Sequence, residues 1–126
     1  MPREFINPPT VHRVTAYSHA VKVDNTVYVA GQVGRDVDGN TVSGGFEAQA
    51  EKALDNLRLV LEAAGATMKD VVKLNTYLKD MSDRDQYMAI RSRYFSAPLP
   101  ASTLVQISCL ADPAFLIEVE AVAVVD

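Results

Sequence analysis

One stretch of this chain admits few folds. Between residues 46 and 64, Phe46, Ala50, Ala53, Leu54, Leu57, Leu61 and Ala64 return every three or four positions, while Gln49, Glu51, Lys52, Asp55, Arg58 and Glu62 fall largely elsewhere. That spacing predicts a helix with one apolar stripe, and Gly65 supplies its stop. A single stripe on an otherwise charged helix must be buried against a sheet, so the fold is sheet plus helices and not a bundle.

The sheet is visible on both sides of that helix. Residues 17–23 and 26–30 read as two strands around Asp24-Asn25, a pair suited to tight reversal. The run Thr26-Val27-Tyr28-Val29-Ala30-Gly31-Gln32 is so β-favouring that it implies a strand covered on both faces. Gly31 there allows either an unusual backbone angle or the close approach of another group, and Gln32 offers an amide at the strand end. Residues 36–40 form a second turn, which leads through Thr41-Val42-Ser43 to Gly44-Gly45. Residues 71–79 predict a strand with Val72, Leu74, Thr76 and Leu78 on one face and Lys73, Asn75, Tyr77 and Lys79 on the other. Ser82 and Asp85 have capping-box spacing for a second helix over 83–95, burying some of Tyr87, Ile90, Tyr94 and Phe95 and ended by Pro98 and Pro100. Two strands close the chain, in residues 98–107 and 117–125. Residues 3–13, with Pro8-Pro9 and no periodicity, read as an irregular arm.

The order is therefore a β pair or trio, helix, strand, helix and two strands, which suits a two-layer sandwich with crossover connections. Two helices cover only one face of such a sheet. Its other face carries further apolar side chains, so a homo-oligomer is expected.

At 126 residues the chain is read as one domain, 1–126. A formal charge of -4 argues against an electrostatic grip on nucleic acid or an anionic membrane. No apolar run has the length of a membrane span and no secretion signal is present, so a cytoplasmic address is expected. The lone Cys109, in a strand-like run 106–110, excludes an intrachain disulfide and reads as a small core residue. His12 and His19, seven apart with no acidic partner between them, make a poor metal site and suggest surface or packing roles. Gly44-Gly45 lacks the remaining frame of a phosphate-binding loop and is a flexible helix entry.

The last strand holds the chemistry. Glu118 and Glu120 lie two apart and share a face, with Ile117, Val119 and Ala121 on the other. Either these acids face solvent or pair with lysine, or one sits in a cleft where burial raises its pKa and lets it handle a proton.

Several fragments, in order, resemble the RidA family, also called YjgF/YER057c/UK114. They are residues 25–33 (Asn-Thr-Val-Tyr-Val-Ala-Gly-Gln-Val), Gln49-Ala50 through Leu54-Asp55-Asn56-Leu57, Ala63-Ala64-Gly65, Val71-Val72-Lys73, Leu78-Lys79-Asp80, Pro100-Ala101 and residues 117–121. The resemblance implies an α+β, chorismate-mutase-like fold, a mixed sheet covered by two helices, assembled as a homotrimer around a barrel-like core with ligand clefts between subunits. It also implies an enamine/imine deaminase whose catalytic tyrosine and glutamate match Tyr17 and Glu118. Ser102, Thr103, Gly31, Gln32, Val33, Met88 and Leu104 fall at substrate-binding positions. Three of these depart from the family pattern. Ser102 stands where an arginine clamps the substrate carboxylate, Met88 where an asparagine is usual, and Leu104 where a cysteine is usual; Cys109 does not replace the latter. One extra residue between Leu110 and Glu118 alters the final loop.

A serine offers one neutral hydrogen bond where a guanidinium offers a rigid fork. Small 2-imino acids are accordingly expected to be poor substrates unless Arg13, Arg35, Arg91 or Arg93 supplies the charge. Two functions follow. One is a divergent deaminase or related hydrolase of a small imine or enamine, in the catabolism of amino or aromatic compounds, using neither metal nor organic cofactor. The other is a small-ligand-binding or regulatory protein that keeps the cleft without the reaction. A ribonuclease fits poorly, given the acidic balance and the lack of a basic aromatic stripe.

Overall fold

The computed structural model describes the whole chain, Met1–Asp126. Its elements are β1 (Arg3–Ile6), β2 (Ala20–Val23), β3 (Thr26–Val33), α1 (Gly45–Ala63), β4 (Val71–Leu78), α2 (Arg84–Arg91), β5 (Ala101–Gln106) and β6 (Ile117–Val124), with 3-10 turns at Met68–Asp70 and Met81–Asp83. The strands form one sheet in the order β1-β2-β3-β6-β4-β5. Only β4 and β5 run parallel, and α2 makes the crossover such a pair requires. The architecture is α+β: two helices packed on one face of a mixed sheet. Neither helix is long and apolar enough to cross a membrane.

The predicted stripe is the centre of the core. Ala50, Ala53, Leu54, Leu57, Val60 and Leu61 of α1 have no exposed surface and belong to one buried cluster with Val27, Leu74, Leu78, Ile117, Val119 and Ala123. Each such leucine contributes roughly 2 kcal/mol through burial. Gly65 ends the helix in the left-handed region at φ 81. The Ala66 N–H then reaches back to the Leu61 carbonyl at 2.9 Å.

Several expected boundaries move, each for a physical reason. Residues 3–6 are strand and not arm: β1 pairs along β2 and ends before the prolines. As an edge strand it buries only Ile6, so it shows no alternation. β2 begins at Ala20, which leaves Tyr17 in the preceding loop. A register shift between Val71 and Lys73 reverses the expected valine, placing Val71 in the core and leaving Val72 47% exposed. α2 spans only 84–91; residues 92–95 continue in tighter turns, with Arg93 N–H to Ile90 O and Tyr94 N–H to Arg91 O. The capping carboxylate is Asp80, which accepts from Ser82 N–H at 2.9 Å ahead of the turn leading into α2. β5 stops at Gln106, so Cys109 sits exposed in the loop before β6 and not in the core.

Candidate functional site

β6 alternates as its sequence requires. Ile117, Val119, Ala121 and Ala123 are buried under the helices, while Glu118 and Glu120 project from the open face of the sheet. Glu118 stands opposite Val33 of β3 on one side and Tyr77 of β4 on the other, and Glu120 stands opposite Asn75. The two carboxylates have different surroundings. The Tyr77 hydroxyl donates a short hydrogen bond to Glu120 Oε1, and Asn75 Nδ2 donates to the same oxygen at 3.2 Å. Holding that carboxylate pushes the Tyr77 pKa up to about 12. Glu118 receives neither bond. Burial, and then the charge of Glu120, raise its pKa above the ordinary carboxylate value.

Gly31 explains how Glu118 fits. The β3–β6 register shifts between Val29 and Gln32, and the Glu118 carboxylate lies where a side chain at residue 31 would begin. Of the two roles open to this glycine, close approach is the one the structure uses.

Tyr17 stands in the loop before β2, near enough for its hydroxyl to feel the Glu118 charge. It is half-exposed, and its ring sits edge-on to His19 at 6.2 Å. Burial raises its pKa, the Arg35 charge opposes that shift, and the Glu118 charge adds to it. Arg35 is held by its Nε bond to Gly39 O at 3.2 Å and lies 5.3 Å over the Phe115 ring. Two side chains of α1 pin these pieces together. Asn56 Nδ2 donates to the carbonyls of Val33 (3.0 Å) and Arg35 (2.9 Å). The Gln49 amide bonds both Ala114 O and Leu116 N at 2.8 Å, fixing the loop that carries Phe115.

Gln32 departs from expectation. Its side chain is fully buried, donating to His19 Nδ1 at 3.1 Å and to Ala30 O at 3.2 Å, so the amide serves the interior and not the strand end. His19 Nε2 donates in turn to His12 O at 2.8 Å, and both histidines are buried in packing roles. Burial, His19 and Arg35 lower the His12 pKa.

The other candidates gather at the β5 edge. Ser102 pairs with Leu74 and Leu104 with Thr76, which turns both toward the helix layer, whereas Thr103 pairs with Asn75 and faces the carboxylate side. Met88 and Leu104 are partly buried against the core. Arg91 Nη1 donates to Ser102 Oγ at 3.0 Å. This group does not meet Glu118 within one chain. β5 lies two strands from β6, about 10 Å across the sheet, and Ser102 points from the opposite face.

Sequence reasoning missed the parts that set the Glu118 environment. Tyr77 and Asn75 were legible as the polar face of β4, but their bonds to Glu120 depend on strand register. Phe115 gave no local signal, and Arg35 and Gln49, legible as a candidate charge and as part of a family-like motif, gave no sign of where they lie, because long-range contacts bring all three together.

With that geometry in hand, relatives can be compared. The family model described as Endoribonuclease L-PSP matches residues 9–125. A Dermatophagoides farinae protein named 2-iminobutanoate/2-iminopropanoate deaminase is 35% identical over 127 residues, covering 99% of this chain and 98% of its own. A Mus musculus protein of the same name is 42% identical over 109 residues, covering 86% and 80%. The crystal structure of RidA from an Antarctic Psychrobacter superposes with a TM-score of 0.91 at 36% identity, covering 97% of this chain and 99% of that one. The chain belongs to the Endoribonuclease L-PSP family, the RidA/YjgF family whose motifs its sequence carries.

Proposed function

We propose that this protein hydrolyses a small imine or enamine, releasing ammonia, in a cleft completed by a second copy of the chain. The observation that carries the reading is Glu118: a half-buried carboxylate with a raised pKa, laid against Gly31 and free of the bonds that hold Glu120. Such a group exchanges a proton nearer neutrality than an ordinary carboxylate. The relatives named 2-iminobutanoate/2-iminopropanoate deaminase support the same reaction class.

Imine hydrolysis needs little else. Ionised Glu118 takes a proton from water as its oxygen bonds to the imine carbon, and the C=N electron pair moves to nitrogen. Glu118 passes that proton to nitrogen, takes the second proton from the new hydroxyl and delivers it to the resulting amine, so that the C–N bond breaks to release ammonia as the carbonyl forms and Glu118 is left ionised again. Tyr17, which feels the Glu118 charge, orients the substrate, with the backbone of Gly31 and Val33 as the wall.

The separation of the Glu118 and Ser102 groups supports a cleft between copies, with the β5 edge of one against the Glu118 face of the next. The trimeric number rests on the family resemblance. Both acids on that face would repel a phosphodiester, so a nuclease role fits this surface poorly. The packing of Met88 and Leu104 into the core favours a second reading, a cleft that binds ligand without turnover.

Ammonia release from freshly generated 2-iminobutyrate and from a neutral imine, for wild type and Glu118→Gln, separates these readings. Hydrolysis predicts release on at least one substrate, lost by about 10²-fold or more in the variant. The wild-type rate should fall with decreasing pH through a limb above the ordinary 4.5 of glutamate, because the raised pKa removes the ionised base earlier. Binding without any acceleration would favour the second reading.

A further inference from the structure

The segment between β1 and β2 carries an imidazole with no partner. His12 is only 4% exposed, and neither its Nδ1 nor its Nε2 bonds to any group of the chain. An unmet donor and acceptor inside a protein are costly and uncommon. His19 shows the contrast: equally buried, it uses one ring nitrogen on the Gln32 amide at 3.1 Å and the other on His12 O at 2.8 Å. The two rings meet edge-on at 5.0 Å. Packing alone therefore holds the His12 ring, which can turn without breaking a hydrogen bond. Its lowered pKa keeps it neutral at pH 7, with one N–H to donate and one lone pair to accept. His12 lines a cleft of about 500 Å³ walled by Pro8, Pro9, Val11, Val14 and Val37. No carboxylate lines this cleft, although the chain as a whole carries a charge of -4. Arg13 stands at its exposed side and pairs with no carboxylate. The cleft shares no residue with the Glu118 face or the β5 edge.

We propose that this cleft is a second binding site, for an aromatic monocarboxylate, in which the His12 ring turns to donate to one carboxylate oxygen and Arg13 closes over the other. Each part of that ligand answers a feature of the cleft. The guanidinium, free of any carboxylate of the chain, supplies charge-assisted bonds to an anion. The imidazole N–H gains the acceptor that the interior denies it. Two prolines and three valines receive a flat apolar body, and the volume lies within the range of small-molecule sites. A multiply charged anion would press its excess charge against those apolar walls. A neutral ligand would leave Arg13 unused. The site does not depend on the hydrolase reading, because no group of the Glu118 face takes part in it.

The test follows the imidazole itself. ¹⁵N-labelled protein at pH 7 is titrated with benzoate, with its neutral isostere benzamide and with inorganic phosphate, and the ring nitrogens of His12 and His19 are read by long-range ¹H–¹⁵N correlation. Benzoate should move the His12 nitrogens in a saturable way and those of His19, already bonded, much less. Benzamide and phosphate should each bind about tenfold or more weakly than benzoate. Arg13→Gln, a change at an exposed side chain, should weaken benzoate by a similar factor. His12→Phe keeps the ring and removes both nitrogens; it should weaken benzoate yet raise the melting temperature, because the unmet groups are gone. Should His12→Phe fail to fold, Arg13→Gln carries the test. Unmoved His12 signals at the solubility limit of benzoate, or wild-type affinity in Arg13→Gln, would overturn the site. Benzamide or phosphate binding as tightly as benzoate would overturn the ligand class.

Discussion

Gly31 and Glu118 act as one unit. The backbone at residue 31 has no left-handed angle, so an alanine there meets no φ penalty; it meets the carboxylate instead. Gly31→Ala should therefore displace Glu118 while sparing the fold. We expect ammonia release to drop by roughly 10²-fold, the usual consequence of misplacing a reacting group by about 1 Å, with little change in melting temperature. Equal activity in this variant would show that the carboxylate works from another position. At this scale the sequence was partly legible. Period-two alternation exposed the shared face of Glu118 and Glu120, and Gly31 marked either an unusual backbone angle or a close approach, between which only the structure chose. What distinguished the two acids, the bonds from Tyr77 and Asn75 to Glu120, required knowing which strand lies beside β6.

Among elements, α1 does more than fill the core. The Gln49 amide bonds Ala114 and Leu116, so the helix fixes the loop carrying Phe115, against which Arg35 stacks. Gln49→Ala removes both bonds and should cost about 2 kcal/mol in urea unfolding, near 1 kcal/mol for each. It should also lower turnover without abolishing it, since Glu118 remains in β6. A stability loss with unchanged kinetics would confine Gln49 to a folding role. The stripe and the Gly65 stop of α1 were legible because they depend on residues near in sequence. The bulges at 29–32 and 71–73 were not, because a bulge is a mismatch between strands distant in the chain. β1 was missed for a related reason: an edge strand with one buried residue carries no periodic signal.

For the whole molecule, the open face of the sheet is where a second copy is expected to pack. Tyr28, Val72 and Val105 are 52%, 47% and 39% exposed, a distribution suited to burial by another copy. Light scattering should give a particle about three times the 13.7 kDa chain mass. Val105→Asp places a charge beside Tyr77 on that face and should shift the particle toward the chain mass, abolishing ammonia release in parallel. An active particle of the chain mass would mean that one copy suffices for the site.

By itself the sequence determined the two-layer α+β plan, the helix on one sheet face, the pairing of Glu118 with Glu120 and the family. These follow from periodicity and from motifs whose residues are close along the chain. Only the tertiary structure decided that Glu120 is held while Glu118 is free, that Gln32 turns inward to His19, and that Arg91 reaches Ser102. Each of these depends on register and on crossover geometry, through which residues far apart in sequence come within hydrogen-bonding distance.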